Sequence, residues 1–404
     1  MARDQEKVRQ FIDVAESAAA AANPVLPRDF PYQYRSLFPI TQRYTYLNHA
    51  SVAPLPLPTM QAMQQMLDGV AKHGGRNFEQ WEQTTAATRA AAARLINARP
   101  EQVAFLRNTS EALSAIANGI SWRPGDNVVS AAIEFPANVY PWSRLASAYG
   151  VELRLQPETG GRIEVDGLLS LVNNRTRVLT LSWVQFGTGQ RFDLQRIGRF
   201  CRERDILFVV DAVQGLGAFQ LDVERDFVDA LAAGTHKFLL GPKGISLLYL
   251  SDRARQRVEP TVIGWTSVQN FRDYAVHERL EFREGALPLE CGTMNEVGIC
   301  GVGRTLAMFL EVGPPQIEEY LLYLVAYLRE ALAERGYTVH SPSEPGETSA
   351  IVICDNPARP SENIHQQLEA KNIIVSVRLG RLRIAPHFYN TKEDIDALVS
   401  QLPI

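Results

Sequence analysis

Short apolar runs recur between about residue 46 and residue 250: VAFL (103–106), VVSAA (128–132), VELRLQ (151–156), VLTLSWV (178–184), LFVVDAV (207–213) and GISLLYL (244–250). Each has the length and the β-branched content of a strand. Between most of them the spacing switches to the helical period. In LQRIGRFCRERD, for example, Leu194, Ile197, Phe200 and Cys201 fall on one face. Near-continuous apolar strands alternating with amphipathic helices predict a largely parallel sheet covered on both faces.

The two ends of the chain follow other patterns. Residues 1–45 combine an Ala-rich amphipathic stretch, Val8 to Ala22, with the Pro-containing NPVLPRDFPYQY, and read as an N-terminal arm. From Glu290 to Arg335 the pattern is mainly helical, and LLYLVAYLREALAERG ends on a glycine suited to a C-cap. YTVHSP, SAIVICDN and IIVSVRLGRLRIAPH then read as strands, closed by a helix from Lys392. The expected organisation is an arm (1–45), a large α/β domain (46–295) and a small C-terminal α+β domain (296–404).

Composition narrows the function classes. At 404 residues with a formal charge of −4, the chain has no basic excess with which to neutralise phosphates, so bulk-charge nucleic-acid binding is not expected. Cys201, Cys291, Cys300 and Cys354 form neither a CxxC pair nor a metal-ligand spacing, so neither a disulfide framework nor a metal site is expected. MARDQEKVRQ is charged where a secretory signal would be apolar, and no run approaches 18 apolar residues. A soluble cytoplasmic protein without a membrane partner is the expectation.

The chemistry concentrates in DAVQGLG and GTHKFLLGPKG, between Asp211 and Gly244. Asp211 and Gln214 follow a strand, where open α/β sheets bind ligands. Lys237 lies in a Gly-punctuated loop. A lysine beside an acid in a cleft suits Schiff-base chemistry, with the acid keeping a pyridine nitrogen protonated. Taken singly, these residues read as a turn lysine and a strand-end aspartate, and only taken together do they point to that chemistry. RNTSEAL, after VAFL, offers either a helix cap or an anion site at a helix N-terminus. No G-x-G-x-x-G follows the first strand, which removes a dinucleotide-binding enzyme.

Together, DAVQ, THK and GPKG resemble the class V aminotransferase group of pyridoxal-phosphate enzymes, of fold type I. That group includes cysteine desulfurases, cysteine/cystine lyases, kynureninases and isopenicillin N epimerase-like proteins. The resemblance implies a mainly parallel seven-stranded sheet plus a small C-terminal domain, and pyridoxal 5′-phosphate as cofactor. Lys237 would be the Schiff-base lysine, Asp211 the partner of the pyridine nitrogen and Gln214 that of the phenolic oxygen. His236 matches the histidine before the lysine. Where many relatives have a phosphate-binding serine, this chain has Gly234, with Thr235 beside it. Thr109 and Ser110 match the phosphate-binding pair.

Phe135, in IEFPANVYPW, stands where desulfurases carry a histidine stacked over the cofactor. The Phe-Pro pair and VQFGTGQ (184–190) resemble kynureninases, and T-G-Q also the cysteine/cystine lyases, making Gln185 a neighbour of the ring oxygen. LECGTMN resembles an element that reaches the partner subunit's cofactor phosphate, through Thr293 here. HGGRNFEQW places Arg76 as a substrate contact across a homodimer with shared active sites. By the same resemblance RLRIAPHFYNT would supply Arg383 for the substrate carboxylate, with Arg378 and Arg381 nearby as alternatives, and His49 would line the substrate pocket or be a structural histidine after a short strand.

Desulfurases also need a cysteine shortly before that arginine, and KNIIVSVRLGRLR has none. The resemblance therefore points to C–S β-elimination on a small amino acid without a persulfide. Class V transamination, epimerisation or kynureninase-like hydrolysis is the alternative, and a non-catalytic pyridoxal-phosphate binder stands last.

Overall fold

The apolar runs come together as one sheet. The computed structural model describes residues 29–275, 280–344 and 346–403, and the stretch Val8–Ala22 lies outside them. The strands are β1 (Val103–Leu106), β2 (Asn127–Ala131), β3 (Glu152–Gln156), β4 (Thr176–Ser182), β5 (Leu207–Asp211), β6 (Ala230–Gly234) and β7 (Ser246–Leu250). Their spatial order is β1-β7-β6-β5-β4-β2-β3. β3, β2, β4, β5 and β6 run parallel, whereas β7 is antiparallel to both β6 and β1. The carboxyl ends of six strands therefore open on one edge, and the site is built there.

β6 escapes the sequence pattern. Its residues, ALAAG, include no β-branched side chain, yet the strand is buried on both faces between β5 and β7. Ala230 and Ala232 join the cluster of Leu113 and Ile116, while Leu231 and Ala233 join that of Val210 and Ile299. Small residues form this strand because helices press on it from both sides. The helix Leu194–Glu203 buries Leu194, Ile197 and Cys201, as its spacing predicts.

The C-terminal part forms a second, antiparallel sheet: β8 (Thr338–Val339), β9 (Val352–Asp355), β10 (Ser376–Arg378) and β11 (Arg381–Ile384), in the order β10-β11-β9-β8. The segment after Tyr44 crosses to this unit. Thr45 and Tyr46 pair in parallel with Ile373 and Ile374, and Asn48 bridges Ala385. This crossing delivers residues 49–51 to the groove between the sheets. A second tie is Gly189, at φ +74°, where a Cβ would lie 2.3 Å from the Ile351 carbonyl oxygen, so only glycine fits. Among the described residues no single helix is long and apolar enough to cross a membrane. The pair Glu296–Val312 and Pro314–Glu334 passes that test together but is bent by 78°, and both helices bury residues in the main core.

Candidate active site

β5 ends on Asp211, which is 1% exposed. Its Oδ1 accepts from the Val213 N–H at 3.0 Å, and its Oδ2 has no partner. Burial pushes this carboxyl upward in pKa; the Val213 N–H opposes the rise, Glu134 adds to it, and Lys237 counters it. Gln214 donates Nε2 to the Ala50 carbonyl at 3.0 Å and leaves Oε1 unpaired. Gln185, just beyond β4, repeats the arrangement: Nε2 donates to Glu134 at 2.6 Å and Oε1 is unpaired. Each buried acceptor left unmatched costs about 1–3 kcal/mol. Three such atoms at strand ends mark a place built for a ligand that brings donors.

Lys237 follows β6. Its Nζ lies 5.4 Å from the centroid of the Phe135 ring, and Phe135 meets Phe186 edge-on at 5.2 Å. Burial lowers the ammonium pKa to about 8; Asp211 works against this, while Arg383 and Arg378 reinforce it. The lysine is thus partly in its nucleophilic form near neutrality. His236 is held down to about 4 by burial and by the charges of Lys237 and Lys243, so it is neutral.

Helix Thr109–Gly119 opens beside β6. Asn108, not Thr109 or Ser110, is the cap, accepting from the Glu111 N–H. That leaves the first-turn N–H groups without intrahelical acceptors. Thr109 Oγ1 accepts from the Gly234 N–H at 3.0 Å, and a Cβ on Gly234 would come within 3.0 Å of the same oxygen. The departure from serine at 234 thus has a steric reason: the Thr109 hydroxyl fills that space. Ser110 is exposed next to it.

Two of the expected site residues have their side chains engaged within the protein. The Thr235 hydroxyl is fully buried and donates to the Pro242 and Ile245 carbonyls, closing the loop instead of facing a ligand. His49 is also fully buried. Its Nδ1 donates to the Ala385 carbonyl at 2.8 Å, and its Nε2 accepts from the Tyr389 hydroxyl at 2.7 Å. With both nitrogens engaged and its pKa lowered to about 4 by burial, it holds the crossing segment in place and has no free nitrogen for a substrate.

Arg383, on β11, is 2% exposed. It donates to Ser51 Oγ at 2.6 Å, to Ser376 Oγ at 3.2 Å and to the Phe186 carbonyl at 3.1 Å. Ser51 and Glu134, which the sequence reading does not single out, contact Arg383 and Gln185 respectively. Glu134 is buried and gathers donors from Asn138, Gln185 and both the N–H and hydroxyl of Ser182. An acid at the end of an apolar strand, one residue before Phe135, was the available signal. Arg76 and Thr293 are exposed, and among the described residues no contact within one chain joins them to Lys237. Thr293 lines a separate hollow of about 280 Å³ with Phe78, Trp265, Phe271 and Arg283.

The residues fit pyridoxal phosphate. Asp211 Oδ2 matches a protonated pyridine nitrogen, and the oxygen of Gln214 or of Gln185 can accept the single proton of a ring hydroxyl. The helix start at Thr109 suits a phosphate, and Lys237 suits the aldehyde.

Comparison with known proteins agrees. The family profile described as "Aminotransferase class-V" matches residues 45–398. An uncharacterised aminotransferase, YcbU, of Bacillus subtilis is 27% identical over 372 residues, covering 92% of this chain and 97% of its own. The cysteine desulfurase CsdA of Escherichia coli superposes with a TM-score of 0.83 at 25% identity, over 94% of this chain and 98% of its own. The cystine C–S lyase C-DES, in complex with its product cysteine persulfide, gives a TM-score of 0.83 at 23% identity, over 90% and 98% respectively.

Proposed function

This chain belongs to the aminotransferase class V family, whose cofactor is pyridoxal phosphate, and on that premise we propose that it catalyses C–S β-elimination on a small amino acid. The observation that carries this reading is Phe135, a ring that can give no proton, over Lys237. A thiol has a pKa near 8.5, so a thiolate departs without an acid to protonate it. A phenyl ring suffices at this position for such a leaving group. A poorer leaving group would need a proton donor there.

The missing thiol supports the same reading. The β10–β11 hairpin closes through Leu379 and Gly380, at φ 51° and 74°, the two-residue turn that leaves no loop for a cysteine. Cys354 and Cys201 are buried, and Cys300 turns its Sγ toward the Ala62 carbonyl.

The roles follow from position. Lys237, Asp211, Gln214, Gln185 and the helix start at Thr109 and Ser110 would hold the cofactor, which supplies an electron sink that acidifies the substrate's Cα proton. Arg383 fixes the substrate carboxylate through its guanidinium fork. Lys237 Nζ takes the Cα proton as general base. Phe135 and Phe186 form an apolar wall beside that atom. The Cβ–S bond then breaks with its electron pair leaving on sulfur. A homodimer in which Thr293 and Arg76 complete the partner's site belongs to this reading.

Incubation with cystine or an S-conjugated cysteine is expected to release pyruvate, ammonia and a sulfur product in equal amounts. A keto acid that keeps the substrate's carbon skeleton, with no ammonia, would overturn elimination in favour of transamination.

A further inference from the structure

Three arginines stand on the β10–β11 hairpin, and the structure sorts them. Arg381 is neutralised by Asp355, at 3.3 Å. Arg383 and Arg378 meet no carboxylate among the described residues. Instead they converge on one hydroxyl: Arg383 Nη2 donates to Ser51 Oγ at 2.6 Å and Arg378 Nη2 donates to the same atom at 3.2 Å. Two guanidinium groups thus stand one neutral oxygen apart. Burial and the charge of Arg378 both depress the pKa of Arg383, and both arginines depress that of Lys237. This clustering of like charge is unfavourable unless anions enter among them.

Geometry says how many anions. Arg383 uses its Nε, Nη1 and Nη2 once each on Ser376, Phe186 and Ser51, which leaves one N–H free on each terminal nitrogen. Two N–H groups match one carboxylate in number. Arg378 spends one N–H on its neighbour's carbonyl, Val377, at 2.6 Å and one on Ser51, leaving a second set of donors. Its position is fixed as well. Leu379 packs on Gly187, where a Cβ would lie 2.9 Å from the leucine Cδ1, so the hairpin tip leans on the segment that carries Phe186.

We propose that Arg378 binds a second anionic group carried by the substrate's side chain, so that the preferred substrates are amino acids whose side chain, or whose sulfur leaving group, bears a carboxylate or a comparable anion. The proposal deepens the reading above and rests on Arg383 as the holder of the α-carboxylate. A site that pairs a guanidinium with a substrate anion disfavours the neutral isostere, because the cation then loses its charged partner.

The test uses the pyridoxal-phosphate-loaded protein and α-methyl amino acids, which bind but have no Cα proton to lose. Dissociation constants are measured by calorimetry for α-methylaspartate against α-methylasparagine, and for α-methylglutamate against α-methylglutamine. The expected result is a preference for the acid of at least tenfold at the better-fitting chain length. Arg378→Gln should erase that preference, and Arg383→Gln should weaken acid and amide alike. Equal affinity of the unmodified protein for acid and amide overturns the proposal. So does an equal loss for both in Arg378→Gln, which would mean that the two arginines grip a single carboxylate. If Arg383→Gln weakens neither ligand, the underlying assignment of Arg383 fails instead, while a preference lost in Arg378→Gln would still support the second anion site.

Discussion

Glu134 accepts a hydrogen bond from Gln185 Nε2 at 2.6 Å and so decides which end of that amide is left for the site. The carboxylate takes the N–H₂ group, and Oε1 remains the unpaired atom. Glu134 in turn is held by Asn138 and Ser182, the latter at the end of β4. In Glu134→Gln a single carbonyl oxygen replaces two carboxylate oxygens, and buried donors lose their acceptor. Each such donor costs roughly 1–3 kcal/mol of stability. We expect a lowered urea midpoint, pyridoxal phosphate bound about tenfold less tightly, and a shifted cofactor absorbance band. A folded variant with unchanged band and affinity would remove Glu134 from the site.

Asp211 carries the most consequential unpaired atom. Asp211→Asn keeps the Val213 contact and the volume but presents no negative charge to a pyridine nitrogen. Losing an electrostatic partner of this kind typically costs ~2.7–4 kcal/mol, or roughly a hundred- to thousandfold in turnover. Turnover within tenfold of the unmodified protein contradicts the role.

The legibility of this protein in its sequence divides along a physical line. β2, β4 and β5 announce themselves as apolar, β-branched runs, and Lys237 with Asp211 by chemistry that few surface residues share. β6 stayed hidden because its preference for the sheet comes from being enclosed, not from ALAAG itself. Ser51 and Arg383 are separated by 332 positions, and they meet because Thr45 and Tyr46 pair with Ile373 and Ile374 and Asn48 bridges Ala385. For His49 the sequence left two readings open, and the same crossing favours the structural one: its neighbours Ala50 and Ser51 meet Gln214 and Arg383, while its own ring turns into the core against Tyr389.

Gly189 ties the T-G-Q turn to β9's approach. Gly189→Ala would place a methyl group against the Ile351 carbonyl and force a residue with a side chain to φ +74°. We expect a loss of about 1–3 kcal/mol, read from the denaturant midpoint. An unaltered midpoint means that the two sheets are not coupled through this turn.

A shared site makes a sharper demand. Chains carrying Lys237→Ala and chains carrying Thr293→Ala with Arg76→Ala should each be poorly active. A mixed dimer then contains one site with all of these residues intact. Activity should recover on mixing, toward one working site per dimer. If it stays at the parental level, Thr293 and Arg76 act within their own chain or not at all.

Lys237 offers the most direct electrostatic test. Only the neutral amine attacks an aldehyde, and burial brings its pKa from the usual 10.5 down to about 8. Below that value the rate at which the cofactor-free protein captures pyridoxal phosphate should rise tenfold per pH unit, levelling off above it. The borohydride-trapped adduct should map to Lys237. The neighbours then move the midpoint in opposite directions. Arg383 and Arg378 are positive and disfavour the ammonium, so Arg378→Gln raises the pKa and shifts the profile to higher pH. Asp211 favours the ammonium, so Asp211→Asn shifts the profile to lower pH. A displacement of one unit changes the capture rate at pH 7 about tenfold, in the matching sense. If both variants move the midpoint the same way, the shift reflects altered burial, and the charges of Arg378 and Asp211 are not what tunes Lys237.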